Sequence, residues 1–326
     1  RGIARVMRTA RAALAVAAFA ACAPAAEAQA YPSRPIRLII PFPAGGSNDI
    51  VGRAIAQQMG EKLGKQVVVD NRTGAGGVIG TELASKEKPD GYTILVISIA
   101  HSVNPWLYKL PYDPIKAFTP IGLMGVGTNV LTVHPSLPAN SLKDLLAMAK
   151  EKPGELSYAS AGIGTFQHLG AELFRLEAKV NLLHVPFRGG GPALTDVLGG
   201  HNKIMFSSLV QAVPHIKSGR LRAIGTGGKE RIPALADVPT ISEAGVPGYE
   251  ALNWWGLLAP VGTPPAVIAR LHKALSEAQD TPEIQSQFEK EGAATRKMEP
   301  EEFGKFIESE MKKWERVVKE GGIKAE

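Results

Sequence analysis

From residue 31 onward the chain alternates short β-branched runs with amphipathic stretches, and this alternation restricts its fold more than any other feature. The runs "IRLII", "QVVVD" and "YTILVIS" are separated by a helical pattern ending near Leu63 and by a short helix over 78–86. In the first helix Val51, Ile55, Met59 and Leu63 recur every four residues. A β-α-β-α-β order predicts parallel strands covered by helices. The proline-rich passage "NPWLYKLPYDPIKAFTP" breaks the rhythm. A strand and turn in "TNVLTVHPSLPA" and a capped helix in "SLKDLLAMAKEKPG" follow. The alternation then resumes through "LSYAS", a helix after Thr165, "NLLHVPF", "GPALTDVLGG", "KIMFSS" and "LRAIGTG", which reads as a second α/β layer.

The segment "NWWGLLAPVGTPP" supplies a last strand returning to the first layer, ahead of the helix "PAVIARLHKALSEA" and a charged C-terminal helix. The expected organisation is one domain over 29–130 and 256–326 and another over 131–255, hinged near Leu131 and Leu257. A cleft between two such layers is the default binding site. Trp254 and Trp255 alternate to opposite faces of this extended segment, one of them toward the cleft.

Residues 1–28 read as an export signal peptide. Met7 serves as the start, Arg8 and Arg11 as a basic region, "ALAVAAFAA" as an apolar core too short to span a bilayer, and "AEA" before Gln29 as a cleavage site. The expected location is the periplasm, with lipidation of Cys22 in "FAAC" as the alternative. Cys22 is the sole cysteine, so the mature chain has no thiol, disulfide or cysteine-ligated metal. The formal net charge of +6 halves once Arg1, Arg5, Arg8, Arg11 and Glu27 are set aside, which gives no basis for nucleic-acid binding.

Two glycine-rich corners follow strands and open helices: "PFPAGGSND" in the first layer and "SYASAGIGTFQH" in the second. At a helix N-terminus free N–H groups and the macrodipole favour an anion, so two facing corners predict a pair of anion holders. Other motifs fail on spacing. "GAGGVIG" has Ile79 and "GIGTFQ" has Gln167 where a dinucleotide fingerprint needs glycine, and neither corner carries the lysine of a nucleotide-phosphate loop. "GGSND" has Asp49 where a nucleophile elbow needs its last glycine.

The seven histidines show no metal-ligand spacing, and His168 stands out only because it lies one turn into the second corner's helix. Asp49 complements the dipole of the first helix or meets the ammonium group of an amino-acid ligand. Arg188 in "FRGGGPA" is either a surface residue or the partner of a distal carboxylate.

The segments "YPSRPIRLIIPFPAGGSNDIVGR", "VVVDNRTGAGGVIG", "LPYDPIKAFTPI", "LSYASAGIGTFQHL", "HVPFRGGGPALTDVLGG", "PHIKSGRLRAI" and "DVPTISEAGVPGYE" run in collinear order. Together they resemble the tripartite tricarboxylate transporter substrate-binding proteins, the Bug family. The resemblance implies a two-lobed periplasmic binding protein of the flytrap type, α/β with a parallel-type sheet flanked by helices in each lobe. It implies capture of a small organic carboxylate, with a dicarboxylate the best guess, and delivery to the membrane subunits of a tripartite tricarboxylate-type transporter. It further implies a monomer with no cofactor, no metal and no catalytic residue. Carried over onto this chain, the carboxylate grip comprises Phe42, Ala44, Gly45, Gly46, Ser47, Asn48 and Asp49 on one side, and Ala161, Gly164, Thr165 and His168 on the other, with Arg188 distal. Phe166 replaces a smaller residue of the family and is expected to reshape the distal end. The rival readings are a secreted hydrolase that uses Ser47 with a histidine such as His168, and a sensor that docks on a membrane signalling protein.

Overall fold

A computed structural model describes residues 31–187, 189–290 and 292–325. The expected signal peptide, Cys22 and Arg188 lie outside the described residues. The compact unit spans Arg34–Glu326. Strand β1 (Ile36–Ile40) is a continuous apolar run because both of its faces are covered, and Ile36, Ile39 and Ile40 are fully buried. Helix α1 (Ser47–Leu63) buries Val51, Ile55, Met59 and Leu63. It stops at Gly64, whose φ of 71° turns its N–H back to the Gly60 carbonyl. Strands β2 (Val67–Asn71) and β3 (Thr93–Ser98) flank β1 in parallel register, and α2 (Val78–Ser85) joins them.

The proline-rich passage holds more regular structure than its composition predicts. Helix α3 (Ile99–Leu107) runs into it with Pro105 in the last turn. A proline there removes the N–H that would otherwise bond the His101 carbonyl one turn back. Strand β4 (Phe118–Val133) then extends for 16 residues, ten of them ahead of the strand read from sequence. Pro120 sits where the register of β4 slips, a position at which a strand tolerates the missing donor.

Helix α4 (Leu142–Glu151) starts at a reciprocal cap between Ser141 and Asp144. The second layer follows as β5 (Ser157–Ser160), α5 (Phe166–Ala178), β6 (Leu183–Pro186), α6 (Gly190–Leu198), β7 (Ile204–Ser208), α7 (Leu209–Lys217) and β8 (Arg222–Thr226). Helix α7, like α3, contains a proline, Pro214, and was not legible in the sequence. The chain closes with β9 (Leu252–Pro260), α8 (Pro265–Gln279), α9 (Pro282–Lys290), β10 (Ala293–Thr295) and α10 (Pro300–Gly321).

The strand order is β2-β1-β3-β9-β4-β7-β5-β6, with β8 and β10 also pairing β4. The fold is two-lobed α/β, and β4 belongs to both lobes. Its residues up to Thr128 pair with β9, whereas Asn129 to Val133 pair with β7 and β8. The return crossing is tied to the same point, since Gly227 N–H bonds the Asn129 carbonyl and Ala251 N–H bonds the Gly227 carbonyl. Each lobe keeps its parallel strands, but β4 and β9 enter antiparallel between them.

Trp254 and Trp255 do face opposite ways, yet neither reaches the cleft. Trp254 packs on Phe303 and Phe306 of α10, and Trp255 packs on Phe288 of α9. The indole N–H groups of Trp254 and Trp314 both donate to Glu310 Oε2, at 3.1 and 2.9 Å. Among the described residues no helix is long and apolar enough to cross a membrane.

Candidate ligand-binding site

The first corner is set by Asp49, which is 3% exposed and turned back into its own loop. Its Oδ2 accepts the Gly45 N–H and Arg53 Nε, each at 2.9 Å, and its Oδ1 accepts Asn71 Nδ2 at 2.9 Å. Asn71 Nδ2 also donates to the Phe42 carbonyl. Burial alone would push the Asp49 carboxyl up, but the hydrogen bonds from Arg53, Gly45 and Asn71 outweigh it and hold the group below the ordinary 3.8. Gly45 takes a φ of 81°, which favours glycine. The helix N-cap is Gly46, which has no side chain to cap with. The Gly46 carbonyl receives the N–H groups of Asp49 and Ile50, which leaves those of Ser47 and Asn48 without a partner.

The second corner opens α5 in the same way. Thr165 occupies the N-cap position but sends its hydroxyl to the Gly162 carbonyl at 2.7 Å, so it caps nothing. Gly164 N–H donates to His168 Nδ1 and Gly162 N–H to Ser160 Oγ, both at 3.1 Å. The first-turn N–H groups of Phe166 and Gln167 remain open.

Both corners line one cavity of about 480 Å³. The helix N-termini reaching it number five: Ser47 and Asn48 of α1, Ser98 and Ile99 at α3, Phe166 and Gln167 of α5, Gly190 of α6, and Ser208 at α7. Leu107, Tyr108, Phe42 and Ile163 supply apolar wall, and Asn104, Gln211 and Asn253 supply neutral polar groups. No Asp, Glu, Lys, Arg or His lines it among the described residues. Among the described residues the positive potential of this cavity comes from the backbone, roughly half a unit charge per helix N-terminus.

Of the residues singled out from sequence, Phe42, Gly45, Gly46, Ser47, Asn48, Gly164 and Thr165 line this cavity. Ala44 is exposed outside its lining, and the Ala161 carbonyl accepts the Gly189 N–H, tying the second corner to the start of α6. Asp49 and His168 lie behind their loops. Phe166, expected to shape the distal end, does form part of the wall. The sequence reading missed Ser98, Asn104 and Tyr108 because α3 was hidden by Pro105, and missed Ser208 and Gln211 because α7 was hidden by Pro214. The rule that α/β ligands sit at the carboxyl ends of strands could have found Ser98 and Ser208, which terminate β3 and β7.

A larger cavity of about 930 Å³ lies between β10, α7 and residues 228–234. Its lining is mainly apolar, with basic side chains (Lys229, Arg231, Lys290, Arg296) beside acidic ones (Glu230, Glu250, Glu289), and neither glycine-rich corner reaches it. Among the described residues no cluster of His, Cys, Asp or Glu could hold a metal ion.

Residues 51–323 match the family described as the tripartite tricarboxylate transporter family receptor. The chain belongs to that family. A member of this receptor family from Pseudomonas sp. strain P51, a UPF0065 protein in the tcbD-tcbE intergenic region, is 40% identical over 91% of this chain and 89% of its own. The receptor-family fold recurs in Rpa4515 of R. palustris, solved with adipate, at 33% identity and a TM-score of 0.81 over 90% of this chain and all 100% of that one. It recurs again in MatC of Rhodopseudomonas palustris, solved with bound malate, at 32% identity and a TM-score of 0.77 over 88% of this chain and 100% of that one. Receptors of this family are solute-binding proteins.

Proposed function

We propose that this chain is an exported receptor that captures a small organic dicarboxylate between its lobes and delivers it to the membrane subunits of a tripartite tricarboxylate-type transporter. The observation that carries the reading is the meeting of five helix N-termini in one cavity that, among the described residues, is lined by no charged side chain. Half a charge from each sums to about two and a half units, which suits a dianion better than a monoanion. The α1 and α5 corners take one carboxylate, and the ends of α3, α6 and α7 face the other. Leu107, Tyr108 and Phe42 cover the carbon stem. Related receptors solved with adipate and with malate agree with this class.

A zwitterion is disfavoured on the same ground. Asp49, behind the first corner, has its acceptors occupied by Gly45, Arg53 and Asn71, and no carboxylate among the described residues lines the cavity to meet an ammonium. Closure is a hinge motion about the two crossings at Thr128/Asn129 and Ala251/Leu252, and ligand favours the closed form because it touches both lobes. The hydrolase reading gains no support, because among the described residues no histidine or carboxylate lines the cavity that holds Ser47.

The test is a thermal-shift and calorimetric panel of the mature chain with succinate, malate, adipate, the monoamide of each, and aspartate. A diacid that raises the melting temperature while its monoamide and aspartate do not is the expected result. Equal response to acid and monoamide would remove the second carboxylate from the reading, and no response to any acid would remove the reading itself.

A further inference from the structure

Under the second corner lies a stack of rings that does not line the cavity. The His168 ring lies parallel to His184 with centroids 4.0 Å apart, and His184 lies against Tyr158 at 4.9 Å. His168 is 4% exposed. Its Nδ1 receives the Gly164 N–H at 3.1 Å, and His184 Nε2 stands 2.6 Å from Ser160 Oγ, which in turn receives the Gly162 N–H. Two imidazoles from different elements thus hold alternate residues of the one loop that opens α5.

We infer that His168 is a positioning residue for the ligand: as hydrogen-bond acceptor it withdraws the Gly164 N–H from the cavity and fixes the loop so that the Phe166 and Gln167 donors are left for the carboxylate. His184 holds the other end of the loop through Ser160. The inference rests on the carboxylate reading above and assigns the loop's geometry to groups outside the cavity.

The surroundings keep the acceptor role available. An imidazole beside a carboxylate ordinarily gains a proton, and His168 Nε2 is 3.9 Å from Glu172 Oε1. Glu172, however, is already engaged by Arg175 Nη1 at 2.8 and 2.7 Å and by the Tyr158 hydroxyl at 2.5 Å. Burial first, then the neighbouring His184 and Arg175, hold His168 down to about 3. His184 is lowered too, chiefly by burial. The charged or titratable groups facing His168 are therefore Glu172 and Arg175 on its own helix, Tyr158 on β5 and His184 on β6. Their combined effect keeps the ring neutral at neutral pH, and the Gly164 N–H directed at Nδ1 selects the tautomer with its proton on Nε2.

Two substitutions separate the acceptor from the ring. His168→Asn places an amide oxygen close to where Nδ1 sits and deletes the stack. His168→Phe keeps the stack and deletes the acceptor. The readouts are amide hydrogen exchange at Gly162 and Gly164 in the ligand-free protein, and the dissociation constant for the tightest diacid of the panel. The expected result is that His168→Phe exposes the Gly164 amide and weakens binding about tenfold, whereas His168→Asn retains protection and stays within about threefold of wild type. Wild-type protection or affinity in His168→Phe, or an Asn variant that behaves like Phe, overturns the inference. If neither variant folds, the ¹⁵N spectrum of the wild-type imidazole decides: the Nε2–H tautomer at pH 7 supports the acceptor role, and a protonated Nδ1 overturns it. If wild type binds no diacid, the carboxylate reading falls, while amide exchange and the tautomer still decide the loop's support.

Discussion

Asp49 and His168 do the same work in different lobes, since each turns away from the cavity to accept an N–H of the loop ahead of its own helix. Spacing placed both one turn into their helices, but spacing cannot say whether such a side chain faces a ligand or its own loop. That depends on what lies behind it: Arg53 and Asn71 for Asp49, His184 for His168. Because the Asp49 pKa is lower folded than unfolded, its stabilisation is complete above about pH 4 and is lost as pH falls through the folded value. Asp49→Asn is therefore expected to lower the stability of the protein by roughly 1–3 kcal/mol at pH 7. The gap to wild type should narrow as the acid range is entered, which urea midpoints measured across that range would check. Gly46 offers the opposite case. Its φ of −81° suits any residue, and an added Cβ meets nothing closer than the Pro43 carbonyl at 3.5 Å. Gly46→Leu should fold with a melting temperature near that of wild type and lose diacid binding, because its side chain occupies the space before the Ser47 and Asn48 N–H groups. A folded Gly46→Leu protein with wild-type affinity would move the site elsewhere.

Elements were legible where one periodicity acted alone. Strands β1 and β3 and helices α1 and α5 stand out because β-branched runs or apolar residues every three to four positions coincide with their burial. The first ten residues of β4 were not, because "FTPIGLMGVG" carries the proline and glycines that ordinarily mark a loop. Those glycines make room for neighbours, which a local pattern cannot reveal. A Cβ on Gly125 would lie 2.2 Å from the Phe288 ring of α9, and one on Gly256 in β9 would lie 2.1 Å from the Phe303 ring of α10. Aromatic side chains of the C-terminal helices thus sit directly on strand backbone. Gly256→Ala is expected to cost about 2 kcal/mol or more through overpacking. Gly191→Ala, in α6 with nothing within 4 Å of the new methyl, should be neutral or slightly stabilising through helix propensity. Chemical denaturation of the pair would check this, and equal effects would show that helix-on-strand contact does not limit these positions.

For the whole molecule, the return of the last strand to the first layer could be read from the chain, but the sharing of β4 could not, because its change of partner at Asn129 leaves no mark on local hydrophobicity. With two crossings anchored at one level, the proposed closure is a rotation of the lobes about them. Saturating diacid should therefore reduce the radius of gyration seen by small-angle X-ray scattering, and an unchanged value with bound ligand would exclude hinge closure. That no charged side chain among the described residues lines the cavity has a different kind of consequence. Backbone amides are common to every sequence that keeps the fold, so point mutation can redraw the walls at Ser98, Asn104, Tyr108, Gln211 and Asn253 without disarming the grip. A lineage, or a laboratory library, diversifying those positions would wander from one acid to another and remain a collection of acid receptors throughout.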